Sequence, residues 1–206
     1  MSIKAQYSVL THILQYLSFS SDQPNILVYY FYLLSKNGLK NKKFDTVATG
    51  GTFDEIHLGH LALLSKAFEI GRKTIIGVTS DEFALKTKGK HKLSHAYSQR
   101  VYNLKKLIRN KFGNVDYEIA RLDAAYGPAV ISEKVQALVA SSETAVKGCE
   151  INKIRLENGL EPLEIIEVDM VKAQNGKPIS STRIRAGEIN GYGQLLKYQS
   201  KRLNKS

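Results

Sequence analysis

Thr46-Val47-Ala48-Thr49-Gly50-Gly51-Thr52-Phe53-Asp54-Glu55-Ile56-His57-Leu58-Gly59-His60 is the stretch that decides the fold. Thr46 to Thr49 has the composition of a short strand, and from Gly59 to Ile70 apolar Leu61, Leu64, Ala67 and Phe68 recur at the spacing of one helix face. Thr74 to Thr79 reads as the next strand, so the stretch is the corner of a β-α-β unit. Gly50, Gly51 and Thr52 directly after the strand let the backbone turn tightly and bring amide groups close to an anion. His57 and His60 stand three apart at the helix start, on nearly one face. Gly59 between them leaves room for a phosphate at the helix N-terminus, whose unpaired amides and positive dipole end favour anions. The stretch therefore predicts a polyphosphate cradle with two imidazole donors. No Gly-Lys-Ser/Thr follows, which excludes a Walker A loop. A zinc site would need further ligands at a readable spacing, and Cys149, His12, His91 and His95 supply none, so no protein metal site is expected.

Outward from this corner, strands and helices alternate. Ala96 to Lys111 reads as an amphipathic helix, Asp116 to Arg121 and Gln136 to Ser141 as strands, and Thr144 to Asn158 as a helix stopped by a left-handed Gly159. A strand at Leu163 to Val168 follows Pro162. Alternation of this kind implies an α/β fold with a parallel sheet, helices on both faces, and ligands outside the carboxyl ends of the strands. Residues 1–43 have another texture, rich in Tyr, Leu and Ser and closed by Lys40-Asn41-Lys42-Lys43. They form an N-terminal extension of unassigned role, explicable as an over-extended gene start, and residues 44–206 form the domain. Val9 to Leu17 is compatible with a short helix, and Ile26 to Leu34 with a strand or a buried helix. The latter run is half the ~20 residues a membrane span needs, so no transmembrane segment is expected.

The chain has 206 residues, 43% hydrophobic and 24% charged, enough for one well-buried domain. Thirty Lys and Arg against nineteen Asp and Glu leave a net charge of +11, which suits a partner bearing phosphates, either a nucleotide or a nucleic acid. A basic tail, Lys197, Lys201, Arg202 and Lys205, keeps a nucleic-acid-binding module open as a rival class, although no recognition helix or aromatic RNA-binding signature accompanies it. One cysteine excludes a disulfide framework and fits a cytoplasmic address.

A second motif lies near the C-terminus: Ile179-Ser180-Ser181-Thr182-Arg183-Ile184-Arg185. Ser180 or Ser181 is a helix cap, Thr182 adds a hydroxyl, and Arg183 or Arg185 a permanent charge for phosphates. The GGTFDxxHxGH segment resembles the signature of the HxGH nucleotidylyltransferase superfamily, and the second motif resembles its ISSTxxR segment, which holds β- and γ-phosphates. Arg121-Leu122-Asp123 with Tyr126-Gly127-Pro128, Ser141-Ser142-Glu143-Thr144, and Glu150-Ile151-Asn152 through Arg155 to Gly159-Leu160 resemble one branch, the archaeal and eukaryotic type of phosphopantetheine adenylyltransferase, over residues 44–190. Lys147-Gly148-Cys149 departs from that branch, where an arginine and further glycines can stand.

The resemblance implies a Rossmann-like nucleotidylyltransferase fold, ATP and 4′-phosphopantetheine as substrates, and Mg²⁺ accompanying ATP; with no recognition helix and no apolar run of spanning length, no nucleic-acid or membrane partner is expected. It makes His57, His60, Lys88 and Arg183 the expected catalytic residues. Gly51, Thr52, Phe53, Gly59, His60, Gly148, Asn152, Arg155, Ser180, Ser181 and Thr182 are expected on ATP. Thr52, Lys86, Lys88, Asp123 and Tyr126 are expected on the acceptor, with the lysines in a loop after the second strand that continues through Lys90 and Lys92. Other HxGH transferases, with nicotinamide mononucleotide, flavin mononucleotide, glycerol 3-phosphate or phosphocholine as acceptor, share the first motif and remain alternatives.

Overall fold

The computed structural model describes residues 42–88, 93–127 and 131–196. Strand β1 (Phe44–Gly51) leads into helix α1 (Leu58–Ile70), strand β2 (Gly71–Thr79), and helices α2 (Asp81–Lys88) and α3 (Tyr97–Phe112). Strand β3 (Asp116–Leu122), strand β4 (Ala137–Ser141), helices α4 (Ser142–Ala145) and α5 (Gly148–Glu157), strand β5 (Glu164–Val168) and helix α6 (Ser181–Arg185) complete the described elements. The sheet order is β3-β2-β1-β4-β5 and every pairing is parallel. Order reverses between β1 and β4, and the crevice outside their carboxyl ends is where such sheets bind ligands.

Period-two alternation splits the strand residues between two faces. Val47, Ile76, Val78, Ala137 and Val139 pack under Leu63, Leu64, Ala67 and Phe68 of α1 and Leu104 and Ile108 of α3. Ala48, Ile75, Leu138 and Ile165 pack on the other face against Ile151 and Ile154 of α5. The α/β sheet with helices on both faces is thus observed. A third cluster of Ala173, Ile179 and Ile189, with Leu58 and Ile184, joins the C-terminal segment to the start of α1.

Three elements differ from the sequence reading. β2 begins at Gly71 because α1 passes into it with no intervening loop; a Cβ at Gly71 would lie 2.5 Å from Val47 Cγ2, so only glycine permits that junction. The helix expected over Thr144 to Asn158 is divided into α4 and α5. The chain turns at Val146 and Lys147 to press Gly148 onto β5, where a Cβ would be 2.7 Å from Ile165 Cγ1. Lys86 and Lys88 lie on helix α2, not in a loop: Ser80 Oγ accepts from the Phe83 amide at 3.1 Å, and Asp81 and Glu82 occupy the acid-favouring first turn. Lys90 and Lys92 fall outside the described residues, as do the N-terminal elements and the basic tail.

Gly159 stops α5 in the left-handed region at φ 72, with Leu160 donating to the Arg155 carbonyl at 2.9 Å as a Schellman motif requires. Among the described residues no helix is long and apolar enough to cross a membrane.

Candidate active site

The turn after β1 is built from the inside. Phe53 is fully buried yet has φ 51, a conformation unusual for a bulky residue, and its ring lies 4.8 Å from the His60 ring. Such strain persists only where neighbours over-determine the turn, here the core around Phe53 and Arg100 of α3. This guanidinium is fully buried, donating to the Thr52 carbonyl at 2.5 Å, the Thr79 carbonyl at 2.7 Å and Asp81 at 2.9 Å. Arg100 stands on the same buried stripe of the helix as Leu104 and Ile108.

His57 caps α1 with its own ring: Nδ1 accepts the Gly59 amide at 3.1 Å. An accepting Nδ1 carries no proton, so the neutral ring bears its hydrogen on Nε2 as a donor. Burial lowers the His57 pKa to about 4, which keeps the ring neutral at physiological pH. Its ring stacks on His60 at 3.9 Å between centroids, so the two imidazoles form one unit. A Cβ at Gly59 would stand 2.9 Å from His57 Cε1, so the glycine makes room for the capping imidazole as well as for a ligand. Leu58 donates to the Gly191 carbonyl at 3.1 Å, which satisfies another first-turn amide from the C-terminal segment.

The second motif meets the first directly. Ser180 caps α6, accepting from the Arg183 amide at 3.3 Å, while Ser181 Oγ donates to the Glu55 carbonyl at 3.1 Å. Arg185 donates to Asp54 at 2.7 Å and to Thr182 Oγ1 at 3.2 Å. Arg183, the expected pyrophosphate cation, is otherwise employed. Its guanidinium pairs with Glu188 at 2.9 Å and bonds the carbonyls of Lys177 and Pro178 and the side chain of Asn175. The cation that α6 brings beside the HxGH turn is therefore Arg185. Asp54 and Arg100 were not singled out from sequence; Asp54 carried a signal as the last residue of GTFD, whereas Arg100 carried none.

The remaining candidates divide. Gly51 closes the turn against the Phe53 ring, 3.3 Å from where a Cβ would sit. Gly148 packs on Ile165, and Asn152 clasps Leu163 through its carbonyl at 2.9 Å and its amide at 2.8 Å. Arg155 is buried, with its guanidinium bonded to the carbonyls of Glu161, Ser132 and Val135. Asn152 and Arg155 thus secure the β4–β5 edge. Exposed Asp123 pairs with Arg121 at 2.9 Å, and Tyr126 packs on the α5 face with its hydroxyl bonded to Glu150, which raises its pKa. Lys86 is exposed on α2, and the side chain of Lys88 lies outside the described residues.

Among the described residues no three His, Cys, Asp or Glu side chains gather as a metal site. The turn offers Mg²⁺ a poor donor set: its one buried carboxylate, Asp54, already accepts from two amides and Arg185, and imidazole nitrogens suit softer metals.

Residues 48–187 match the cytidylyltransferase-like family. The phosphopantetheine adenylyltransferase of Methanothermobacter thermautotrophicus is 47% identical over 156 residues, covering 76% of this chain and 92% of that protein. Its counterpart from Thermococcus gammatolerans is 42% identical over 156 residues, covering 76% and 97%. A solved structure of a protein of unknown function from Archaeoglobus fulgidus superposes with TM-score 0.54 at 34% identity, covering 60% of this chain and 89% of that one. The chain belongs to the cytidylyltransferase-like family, on the branch formed by the archaeal-type phosphopantetheine adenylyltransferases.

Proposed function

We infer that the chain transfers the adenylyl group of ATP to 4′-phosphopantetheine, giving dephospho-coenzyme A and pyrophosphate, a step of coenzyme A biosynthesis. The observation that carries the reading is the junction of the two phosphate motifs at the β1 end, through Ser181 on the Glu55 carbonyl and Arg185 on Asp54. One motif alone would serve any phosphate ligand; joined, they put the helix cap, hydroxyls and Arg185 of the second beside the HxGH turn of the first, at the switch point.

A phosphate monoester has its second pKa near ~6, so the acceptor is already nucleophilic at neutral pH. Its oxygen bonds the α-phosphorus, the bond from that phosphorus to the α–β bridging oxygen breaks, and pyrophosphate leaves with the electron pair. No general base is called for, which agrees with a His57 ring that is neutral and already spends Nδ1 on its cap. The barrier is the meeting of anions and the charge growing on the transferred group, which fixed donors lower. His57 Nε2–H and His60 donate to the α- and β-phosphate oxygens. Thr52 and its amides, held by Arg100, receive the acceptor phosphate, and Lys86 or Lys88 of α2 reach toward the same group. The α6 turn with Ser181, Thr182 and Arg185 holds the leaving pyrophosphate. Mg²⁺ would accompany ATP and offset the charge of its phosphates. The reaction is assigned to the cytoplasm.

Product identification tests the reading. Incubation with ATP and 4′-phosphopantetheine should yield dephospho-coenzyme A by mass spectrometry, and its absence while ATP is bound would sink the acceptor assignment.

A further inference from the structure

Asp54 is given no phosphate contact in the transfer proposed above, yet it is a fully buried carboxylate beside it. Its side chain is 0% exposed, and its oxygens accept from the Ser94 amide at 3.0 Å, the His95 amide at 3.0 Å, and Arg185 at 2.7 Å. His95 Nδ1 lies 3.3 Å away. These donors come from two separate places, the segment leading back into α3 and the helix of the second motif. Burial alone would raise the Asp54 pKa; the amides of Ser94 and His95, then Arg185 and the His95 ring, outweigh it and hold the carboxyl below the usual range. A buried carboxylate is costly unless its lone pairs are met, so the groups that meet it are held in turn.

Arg185 is the group with consequences. Its side chain is only 15% exposed, one nitrogen is fixed by Asp54, and another reaches Thr182. We infer that Asp54 is a positioning residue that sets the orientation of the Arg185 guanidinium toward the triphosphate and locks it to the HxGH turn. This rests on the nucleotidyl-transfer reading of the site. The alternative is that Asp54 acts through its charge alone, and the two differ in sign. A negative charge beside Arg185 repels phosphate, so removing it by charge alone tightens ATP binding, whereas losing the orientation weakens it.

The test is a double-mutant cycle over Asp54→Asn and Arg185→Ala, read by ATP dissociation constant from calorimetry and by kcat from pyrophosphate release. Asp54→Asn should weaken ATP binding by roughly tenfold and lower kcat, and the double variant should be no worse than Arg185→Ala alone, as coupled neighbours behave. ATP binding unchanged or tighter in Asp54→Asn, wild-type behaviour in Arg185→Ala, or penalties that multiply in the double variant would each overturn the proposal. Asp54→Glu keeps the charge but shifts the carboxylate by one methylene, so it carries the test where Asp54→Asn misfolds: the same non-additive loss supports positioning, and wild-type values refute it. A wild-type protein that binds ATP but releases no pyrophosphate with 4′-phosphopantetheine would refute the acceptor assignment, while the cycle on ATP affinity still decides the role of Asp54.

Discussion

At the residue scale the site turns on how one imidazole is used. His57 spends Nδ1 on the Gly59 amide and presents Nε2–H, so its contribution is a neutral donor fixed by a helix cap. His57→Asn can keep the cap through its carbonyl oxygen while losing the ring donor. It should retain the melting temperature to within a few degrees and lose roughly 100-fold or more in kcat, the scale for removing one such donor; steady-state kinetics beside a thermal melt check both halves. The ring also makes stability depend on pH. Its pKa is about 4 when folded against 6.5 for the free side chain, so between those values the unfolded chain binds a proton that the folded chain refuses. Stability from this group is complete above pH 6.5 and falls as the pH drops toward 4, by on the order of 3 kcal/mol in all. Urea unfolding of wild type and His57→Asn at pH 7 and pH 5 should show a steeper loss in wild type; parallel curves would mean the ring is not buried neutral. Gly59→Ala places a methyl against His57 Cε1 and should lower kcat strongly, read in the same assay.

At the element scale, α6 carries two arginines of one type and opposite duty. Arg183 ties its helix to Glu188, Asn175 and two carbonyls, whereas Arg185 faces Asp54 at the catalytic turn. Arg183→Ala should therefore lower denaturant stability more than activity, and Arg185→Ala activity more than stability; the reverse pattern would exchange their roles. Helix α3 makes a parallel case. Arg100→Met removes the guanidinium that bridges the Thr52 and Thr79 carbonyls and Asp81 and should cost about 1–3 kcal/mol in a urea titration, the scale of leaving a buried acceptor unmet. These elements also show what a sequence reveals. The β-α-β corner was readable because strand composition, turn glycines and helix period agree over residues 46–79, and the order of later elements followed by the same means. The division of α4 from α5 was not, because it depends on Gly148 meeting Ile165 seventeen positions on, a contact that local periodicity does not contain. The pair His57 and His60 stood out by the GTFD and HxGH residues around it, whereas Arg100 drew no reading, because nothing local to it shows the Thr52 and Thr79 carbonyls that it meets. Arg183 and Arg185 stand two apart, and the structure separates their partners: Arg183 pairs with Glu188, whereas Arg185, the arginine at the last position of the ISSTxxR pattern, meets Asp54.

At the scale of the molecule, the reversal of strand order beside β1 brings two motifs about 125 positions apart in sequence onto one edge, with Ser181 on Glu55 and Arg185 on Asp54 as the fasteners. The sheet and both phosphate motifs lie from Lys42 onward, and these two relatives align over 76% of the chain. A variant lacking residues 1–38, which begins at Leu39, should keep the melting transition and the turnover of the full chain; loss of either would give the first segment a role in the enzyme. The central claim is the pairing of one nucleotide with one acceptor. It is tested most directly by pyrophosphate release with ATP or CTP against 4′-phosphopantetheine, nicotinamide mononucleotide, flavin mononucleotide, glycerol 3-phosphate and phosphocholine. Release is expected with ATP and 4′-phosphopantetheine alone, and faster release with CTP or with any other acceptor would overturn the assignment.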